Sequence, residues 1–232
     1  MFRPGFEARN MYEMIITIDG PAGSGKSTAA RKLAARLEIP YLDTGAMYRA
    51  VAHTALLRGV DVENPDALLA LARSIRLDVD YGPTHTRIRV DGHDVTEAVR
   101  GIEVSRFTSR VARHPDIRAM LVQQQRDIAA RAGSVVTEGR DQGAVVFPEA
   151  DAKFVLMADL DARARRRYQE MTADGEEVTL EDVSQSLSIR DTADARQWEP
   201  LLKSGDAIVI DTSDMTIQEV VDSLASRLPG RT

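Results

Sequence analysis

Residues 18–28, IDGPAGSGKST, contain glycines, a lysine and a serine at the spacing of a loop that binds phosphate groups. In the pattern G-x-x-x-x-G-K-[ST], backbone N–H groups surround phosphate oxygens, the lysine reaches the β- and γ-phosphates of a nucleotide, and the hydroxyl group holds Mg²⁺. Gly20, Gly25, Lys26 and Ser27 occupy the four defined positions. The sequence therefore predicts a site for the phosphates of ATP together with Mg²⁺.

The residues on either side of this loop predict the two elements that must position it. Residues 14–18, MIITI, form an apolar run rich in β-branched residues and predict a strand. Residues 27–37 place four apolar residues at helical spacing, namely Ala30, Leu33, Ala34 and Leu37. A loop between a strand and a helix N-terminus is the setting that phosphate binding requires, because the helix dipole favours an anion there.

Further apolar runs of strand length recur along the chain, at 40–43, 134–138, 153–158 and 207–211. Helical stretches separate them, which is typical of a parallel sheet with helices on both faces. Ligands of such sheets bind beyond the carboxyl ends of the strands. The polar residues that end the runs are therefore site candidates: Asp19, Asp43, Glu138, Asp159 and Asp211. For the last two we favour a role in capping helices or fixing loops.

The pattern changes between residues 60 and 100. Residues 75–99 alternate apolar and polar residues around the turn sequences Gly82-Pro83 and Asp91-Gly92, which predicts a small antiparallel sheet. We interpret residues 60–132, approximately, as an inserted subdomain that covers the acceptor. The long polar segment at about 159–206 is typical of a lid, with a surface excursion as the alternative.

The composition favours one compact domain. The chain has 232 residues, of which 43% are hydrophobic, and this is enough to bury a core. We assign residues 14–232 to a single domain and residues 1–13 to an N-terminal extension. The absence of cysteine excludes disulfides and cysteine nucleophiles.

Charge and hydropathy restrict the partners. The net charge of −6 argues against non-specific binding to nucleic acid. The chain has no apolar run of about 18 residues, and its N-terminus lacks the apolar core of a signal peptide. We therefore expect a cytoplasmic monomer that binds neither nucleic acid nor a membrane.

Carboxylates and arginines occur together after two of the predicted strands. Asp43 precedes Arg49, and Glu138 precedes Arg140 and Asp141. The planar guanidinium group suits bidentate contact with phosphate, so Arg49 and Arg140 are candidates to hold a second phosphate opposite ATP. A phosphate acceptor is already ionised near pH 7 and needs cations more than it needs a base.

Arginines elsewhere in the chain can add to this positive charge. Arg190 lies in the predicted lid, and the arginine-rich stretch RARRR spans residues 163–167. A solvated helix face is the alternative interpretation of that stretch.

Five stretches of the chain resemble the bacterial cytidylate kinase family and occur in the same order as in that family. The resemblance extends from residue 14 to about residue 228. The stretches are residues 18–28, YLDTGAMYRA at 41–50, VDGHDVTEAVR at 90–100, EGRDQGAVVFPEAD at 138–151 and AIVIDTSDMTIQEVV at 207–221. The resemblance implies an α/β P-loop kinase fold with a parallel core sheet, an inserted acceptor-binding subdomain and an arginine-bearing lid. The implied partners are ATP and CMP or dCMP, with Mg²⁺ as the cofactor and ADP and CDP or dCDP as products.

The resemblance also implies roles for single residues, each carried over by its position in the chain. The residues that would complete the ATP site are Gly23, Ser24, Thr28, Arg163 and Arg166. The residues that would face the acceptor phosphate are Thr44, Arg49 and Arg140. The residues that would face the cytosine are Ser109, Arg118 and Asp141, and those that would reach the ribose hydroxyls are Arg190 and Asp194.

The implied catalytic set comprises Lys26, Asp43, Arg140, Arg190 and Arg196. Glu138, where the family more commonly has aspartate, would hold Mg²⁺ through a water molecule, together with Ser27. Arg196 follows Asp194 by two residues, whereas the family usually places its phosphate-binding lid arginine three or more residues on.

Two other functions remain open at this point. Another small-molecule P-loop kinase, acting on UMP or on a metabolite alcohol, would share the loop and the sheet. A nucleotide-gated regulatory switch would also share them. We find no Asn/Thr-Lys-x-Asp segment of the kind that reads guanine in a GTPase.

Overall fold

The computed structural model describes residues 13–230 apart from residue 174 and the side chains of residues 102 and 193–198. The strands of the described part are β1 (Ile15–Asp19), β2 (Tyr41–Asp43), β3 (Leu77–Tyr81), β4 (Thr86–Val90), β5 (His93–Asp94), β6 (Val135–Glu138), β7 (Ala152–Met157) and β8 (Ile208–Asp211). A parallel sheet has the order β2-β6-β1-β7-β8. The predicted parallel sheet is confirmed, and each of its strands agrees with the sequence prediction to within one residue at both ends.

Helices connect these strands. They are α1 (Lys26–Leu37), α2 (Thr44–Leu57), α3 (Pro65–Ser74), α4 (Ile102–Arg113), α5 (Pro115–Ala132), α6 (Leu160–Ala173), α7 (Leu180–Ser204) and α8 (Ile217–Ala225). A 3₁₀ turn spans Ala98–Arg100, and a π-helical turn spans Gln142–Val146. We call the latter the π turn. The segment predicted as a lid contains α6 and α7.

The core sheet is buried on both faces. On one face, Ile16, Ile18 and Phe154 pack with Leu33 of α1 and Leu224 of α8. On the other, residues of α2, α4 and α5 pack against the sheet in a second cluster. This two-sided burial explains why the strands appear in the sequence as continuous apolar runs rather than as alternating ones.

A small antiparallel sheet, of order β3-β4-β5, confirms the prediction from the alternating pattern. Thr86, Ile88 and Val90 face inward from β4, and the residues between them are exposed. The Asp91-Gly92 turn has positive φ at both residues, 51° and 84°, as a tight hairpin turn requires. Helices α3, α4 and α5 lie in the same part of the chain; the bounds 60–132 of an acceptor-binding subdomain stay a prediction.

The small sheet is hydrogen-bonded to the first residue and the last residue of β2. The N–H of Tyr41 donates to the carbonyl of Gly82 at 3.0 Å. The N–H of Asp43 donates to the hydroxyl oxygen of Thr86 at 3.1 Å, and that hydroxyl donates to the carbonyl of Tyr41 at 2.7 Å. The inserted segment therefore holds the strand that ends in Asp43.

The predicted N-terminal extension falls almost wholly on residues 1–12, which lie outside the described residues. Among the helices of the described part, none combines the length and the apolar character needed to cross a membrane.

Candidate active site

The phosphate-binding loop joins β1 to α1, as the sequence predicts. Gly20, Gly23 and Gly25 all have positive φ, and a Cβ atom at Gly20 would lie 2.2 Å from the carbonyl oxygen of Leu156. Only glycine fits that close approach between loop and sheet. Because α1 begins at Lys26, the first N–H groups of α1, which have no partner within the helix, are available to an anion in the loop.

Lys26 lies over the loop with its side chain largely buried, at 6% exposure. Its ammonium group donates to the carbonyl oxygen of Pro21 at 3.1 Å. This contact keeps a positive charge beside the N–H groups of the loop, where a polyphosphate would be bound.

Ser27 and Glu138, the two predicted metal ligands, contact each other. The hydroxyl of Ser27 donates to Oε1 of Glu138 at 2.9 Å. Burial, and then the negative charge of Asp43, raise the pKa of Glu138, whereas the nearby ammonium of Lys26 opposes that shift. A bound cation would supply an opposite charge that stabilises the ionised form of this buried carboxylate.

The donor set fits Mg²⁺. This ion prefers hard oxygen ligands and commonly takes one or two protein groups together with waters and substrate phosphates. A hydroxyl and a carboxylate side by side next to a phosphate loop meet this requirement. Within the part of the chain that the structure describes, no group of three acidic or histidine side chains is placed to bind a metal by itself.

The ends of β2 and β6 bring the acceptor-side candidates next to the phosphate loop. Asp43 and Glu138 are direct partners in the strand register. Oδ1 of Asp43 accepts from the N–H of Ala46 at 2.8 Å, which caps α2, and Oδ2 accepts from the Arg49 guanidinium at 2.9 Å. The hydroxyl of Thr44 donates to the backbone carbonyl of Glu138 at 2.8 Å. The structure therefore brings together residues that the sequence predicts to surround the phosphates of ATP and of the acceptor.

Arg118 and Asp141 form an ion pair, although one lies on α5 and the other follows β6. The carboxylate is buried, with 8% of its side chain exposed, and the guanidinium is 27% exposed. Arg140 is partly buried beside them, and its positive charge acts on both Asp19 and Glu138. Ser109, the third predicted base-facing residue, is exposed on α4.

A buried amide, Gln142, connects several of these elements and is absent from the sequence prediction. Its Oε1 accepts from the Thr137 hydroxyl at 2.9 Å, and its Nε2 donates to Gln125 of α5 at 3.3 Å and to Thr44 at 3.4 Å. A Cβ atom at Gly139 would lie 2.9 Å from this side chain. The glycine of EGRD therefore makes room for the network.

The two arginines predicted to bind ATP lie on α6, next to the phosphate loop. Arg166 donates to the carbonyls of Thr212 and Ser213, at 2.5 and 3.2 Å, in the loop after β8. Arg163 is buried and contacts Ala22 of the phosphate loop. A direct contact of either residue with ATP stays a prediction.

The predicted lid residues lie on α7. Arg190 is exposed on that helix and engaged by a neighbour. The side chains of Asp194 and Arg196 lie outside the described residues, so the contacts predicted for them stay predictions. Asp211, for which we favoured a loop-fixing role, accepts from the N–H and the hydroxyl of Ser213 at 2.9 and 2.7 Å.

A parallel sheet in this order, with a glycine-rich phosphate loop after its central strand and with carboxylates ending the two strands on one side of it, β6 and β2, defines a P-loop kinase. The sequence profile of the family described as cytidylate kinase matches residues 16–229. The chain belongs to the cytidylate kinase family, and it is accordingly a nucleoside monophosphate kinase, a transferase.

Similar proteins agree with this placement. The cytidylate kinase of Salinibacter ruber (strain DSM 13855 / M31) is 47% identical over 220 residues, which cover 93% of this chain and 96% of the relative. That of Clostridioides difficile (strain 630) is 42% identical over 219 residues, covering 94% and 99%. The crystal structure of an uncharacterized protein from Eubacterium ventriosum ATCC 27560 has a TM-score of 0.52 at 15% identity, covers 94% of this chain and 100% of its own, and shows the fold alone.

Proposed function

We propose that the protein transfers the γ-phosphoryl group of ATP, with Mg²⁺, to the phosphate of CMP or dCMP, and releases ADP and CDP or dCDP. The observation that carries this proposal is the position of Glu138. Its side chain contacts Ser27 of the phosphate loop, and its backbone carbonyl contacts Thr44 on the acceptor side. Glu138 thus lies between the proposed ATP site and the proposed acceptor site.

The donor side would be held by the loop N–H groups and by Lys26, which reaches the β- and γ-phosphates. Ser27 would hold Mg²⁺ directly and Glu138 would hold it through a water molecule. The ion, when bound, neutralises charge on the phosphate oxygens. The described residues that surround these phosphates would contribute alignment and electrostatic stabilisation, with no covalent intermediate.

The acceptor side would be held by arginines. Arg49 is fixed by Asp43 at 2.9 Å, and Arg140 lies near the end of β6, so both are candidates for contact with the phosphate of CMP. That phosphate is already ionised near neutral pH, so its oxygen needs no base to take a proton. Asp43 would act by orienting Arg49 close to the phosphoryl group in transfer.

The base would be selected by Asp141 and Arg118. Cytosine presents an amino donor at position 4 and acceptors at N3 and O2, which complement a carboxylate and a guanidinium. Uracil presents an acceptor at position 4 and a donor at N3, so the carboxylate would face an acceptor and the guanidinium would face a donor. Ser109 would lie at the same end of the pocket, and Arg190 and Asp194 of α7 would contact the ribose hydroxyls.

The test is the release of ADP from MgATP measured with CMP, dCMP, UMP, AMP and GMP as acceptors. We expect turnover with CMP and dCMP that far exceeds turnover with the other three. Equal use of UMP would remove the cytosine part of the proposal. ATP hydrolysis that no acceptor accelerates would instead favour a nucleotide-gated switch.

A further inference from the structure

Helix α7 carries an acidic residue on its buried face. Val183 and Leu187 of α7, 5% and 4% exposed, pack in one cluster with Ala164 of α6 and Ala22 of the phosphate loop. Residues four positions apart share a face of a helix, so Asp191 is the next member of this stripe. An apolar side chain would extend the cluster, whereas the chain places a carboxylate there.

The partner of that carboxylate is Arg163, whose side chain is only 6% exposed. Its two terminal nitrogens donate to the two oxygens of Asp191, Nη1 to Oδ1 at 3.0 Å and Nη2 to Oδ2 at 2.7 Å. Such a parallel pair of bonds restricts the relative orientation of two groups more than a single contact does.

The same guanidinium also contacts the phosphate loop and the residue that follows β7. Nε donates to the carbonyl of Ala158 at 2.8 Å, and Nη1 donates to the carbonyl of Ala22 at 3.2 Å. A Cβ atom at Gly23 would lie 3.2 Å from the Cβ of Arg163. Arg163 therefore packs directly against the loop and links it to α7 through Asp191.

We propose that Asp191 is a positioning residue for phosphoryl transfer. Through Arg163 it holds α7 against the phosphate loop, and this fixes the place of Arg190, the preceding residue, relative to the phosphates in transfer. The role of Arg190 rests on the proposed function, whereas the anchoring of α7 rests on the contacts of Arg163 alone. Asp191 itself touches neither substrate.

The kinetic test is a double-mutant cycle with ATP and CMP, using Asp191→Asn, Arg190→Ala and both together. Asparagine keeps the size of the side chain but removes the charge and one acceptor. We expect Asp191→Asn to lower kcat about 10-fold or more, since a displacement of about 1 Å can cost 10²-fold, and to change the KM for ATP much less. Arg190→Ala should then cost about 10-fold less in the Asp191→Asn background than in the wild type.

Glu199→Gln is the matched control, because it removes an exposed pair with Lys203, 3.2 Å long, on the same helix. Surface pairs of this kind contribute little, so its kinetic constants should equal those of the wild type. Additive effects of Asp191→Asn and Arg190→Ala, or an unchanged kcat in Asp191→Asn, would overturn the proposal.

Hydrogen exchange of the backbone amides at 183–191 measures how firmly α7 is held, and it can be measured without CMP. We expect faster exchange in Asp191→Asn than in the wild type and no change in Glu199→Gln, whereas unchanged exchange in Asp191→Asn would refute the anchoring. If Asp191→Asn does not fold, Arg163→Lys takes its place. Lysine keeps the positive charge but loses the paired contact, so this variant should also show faster exchange at 183–191. A wild type that fails to use CMP would disprove the proposed function and, with it, the role of Arg190, while the exchange result would still decide the anchoring.

Discussion

The carboxylate of Asp19 accepts a hydrogen bond from the backbone N–H of Gln142 at 2.8 Å, although the two residues lie 123 positions apart in the chain. Its second oxygen accepts the N–H of Gly143, also at 2.8 Å. The last residue of β1 thereby holds the first turn of the segment that follows Arg140 and Asp141. The residue that precedes the phosphate loop is thus hydrogen-bonded to the segment that follows two of the proposed acceptor-binding residues.

Burial raises the pKa of Asp19 from 3.8 to about 6, even though both N–H groups and the charges of Arg140 and Lys26 lower it. Between these two values the folded protein keeps a proton that the unfolded chain has lost. The contribution of this proton to the free energy of unfolding is therefore fully present below about pH 4 and is lost as the pH rises through about 6. The total is about 3 kcal/mol at 1.36 kcal/mol for each unit of pKa.

Asp19→Asn should remove this dependence on pH. Urea unfolding of both proteins at pH 4, 5, 6 and 7 gives the difference in their free energies of unfolding. We expect the wild type to lose stability relative to the variant as the pH rises through this range, because only the wild type releases the proton. A constant difference would contradict the raised pKa.

Lys26→Met should abolish phosphoryl transfer without unfolding the protein. In the proposed function the lysine charge acts on the β- and γ-phosphates, and the loss of such a contact in the transition state commonly costs ~10²-fold or more in rate. The measurement is kcat with ATP and CMP, accompanied by the urea midpoint as a check on folding. A folded variant with turnover near that of the wild type would refute the assignment of the loop.

Glu138→Gln should raise the Mg²⁺ concentration needed for half-maximal rate, by about 10-fold, a size typical of groups that hold a metal through another ligand. Burial already disfavours the charged form of Glu138, so the neutral amide should not lower the free energy of unfolding. Glu149→Gln, at an exposed carboxylate, is the control and should leave the Mg²⁺ dependence as it is. An unchanged dependence in Glu138→Gln would remove Glu138 from the metal site.

Asp141→Asn should narrow the preference for CMP over UMP. With uracil in the pocket, Asp141 would face an acceptor and Arg118 would face a donor, at about 1 to 3 kcal/mol for each mismatch, which corresponds to roughly 10²-fold to 10⁴-fold discrimination by the wild type. Asparagine can turn an N–H toward the uracil oxygen and so reduces one mismatch. The ratio of kcat/KM for the two acceptors decides the matter, because a general loss of activity cancels in it; an unchanged ratio would exclude Asp141 from base selection.

The parts of the molecule that could be predicted from sequence are those with a local pattern. The strands of the core sheet are apolar runs, and the phosphate loop has a spacing that few other structures require. Gln142, Thr86 and Asp191 have no such pattern. Each is a polar residue of a type common on surfaces, and each is held in place by tertiary contacts with residues far away in the chain. Arg163 belongs with them, since a solvated helix face was an open alternative for a side chain that proves to be buried.

The hydrogen bonds from Gly82 and Thr86 to β2 have a consequence for solubility. Strand β2 is the outermost strand on its side of the parallel sheet, and an outer strand with bare N–H and carbonyl groups can pair with another molecule and start aggregation. The carbonyl of Gly82 and the hydroxyl of Thr86 occupy those groups at Tyr41 and Asp43. Shortening the small sheet, or replacing Thr86 by valine, would thus expose unpaired backbone groups at the edge of the core sheet. We therefore expect an enzyme redesigned for a different acceptor to aggregate unless these hydrogen bonds to β2 are kept.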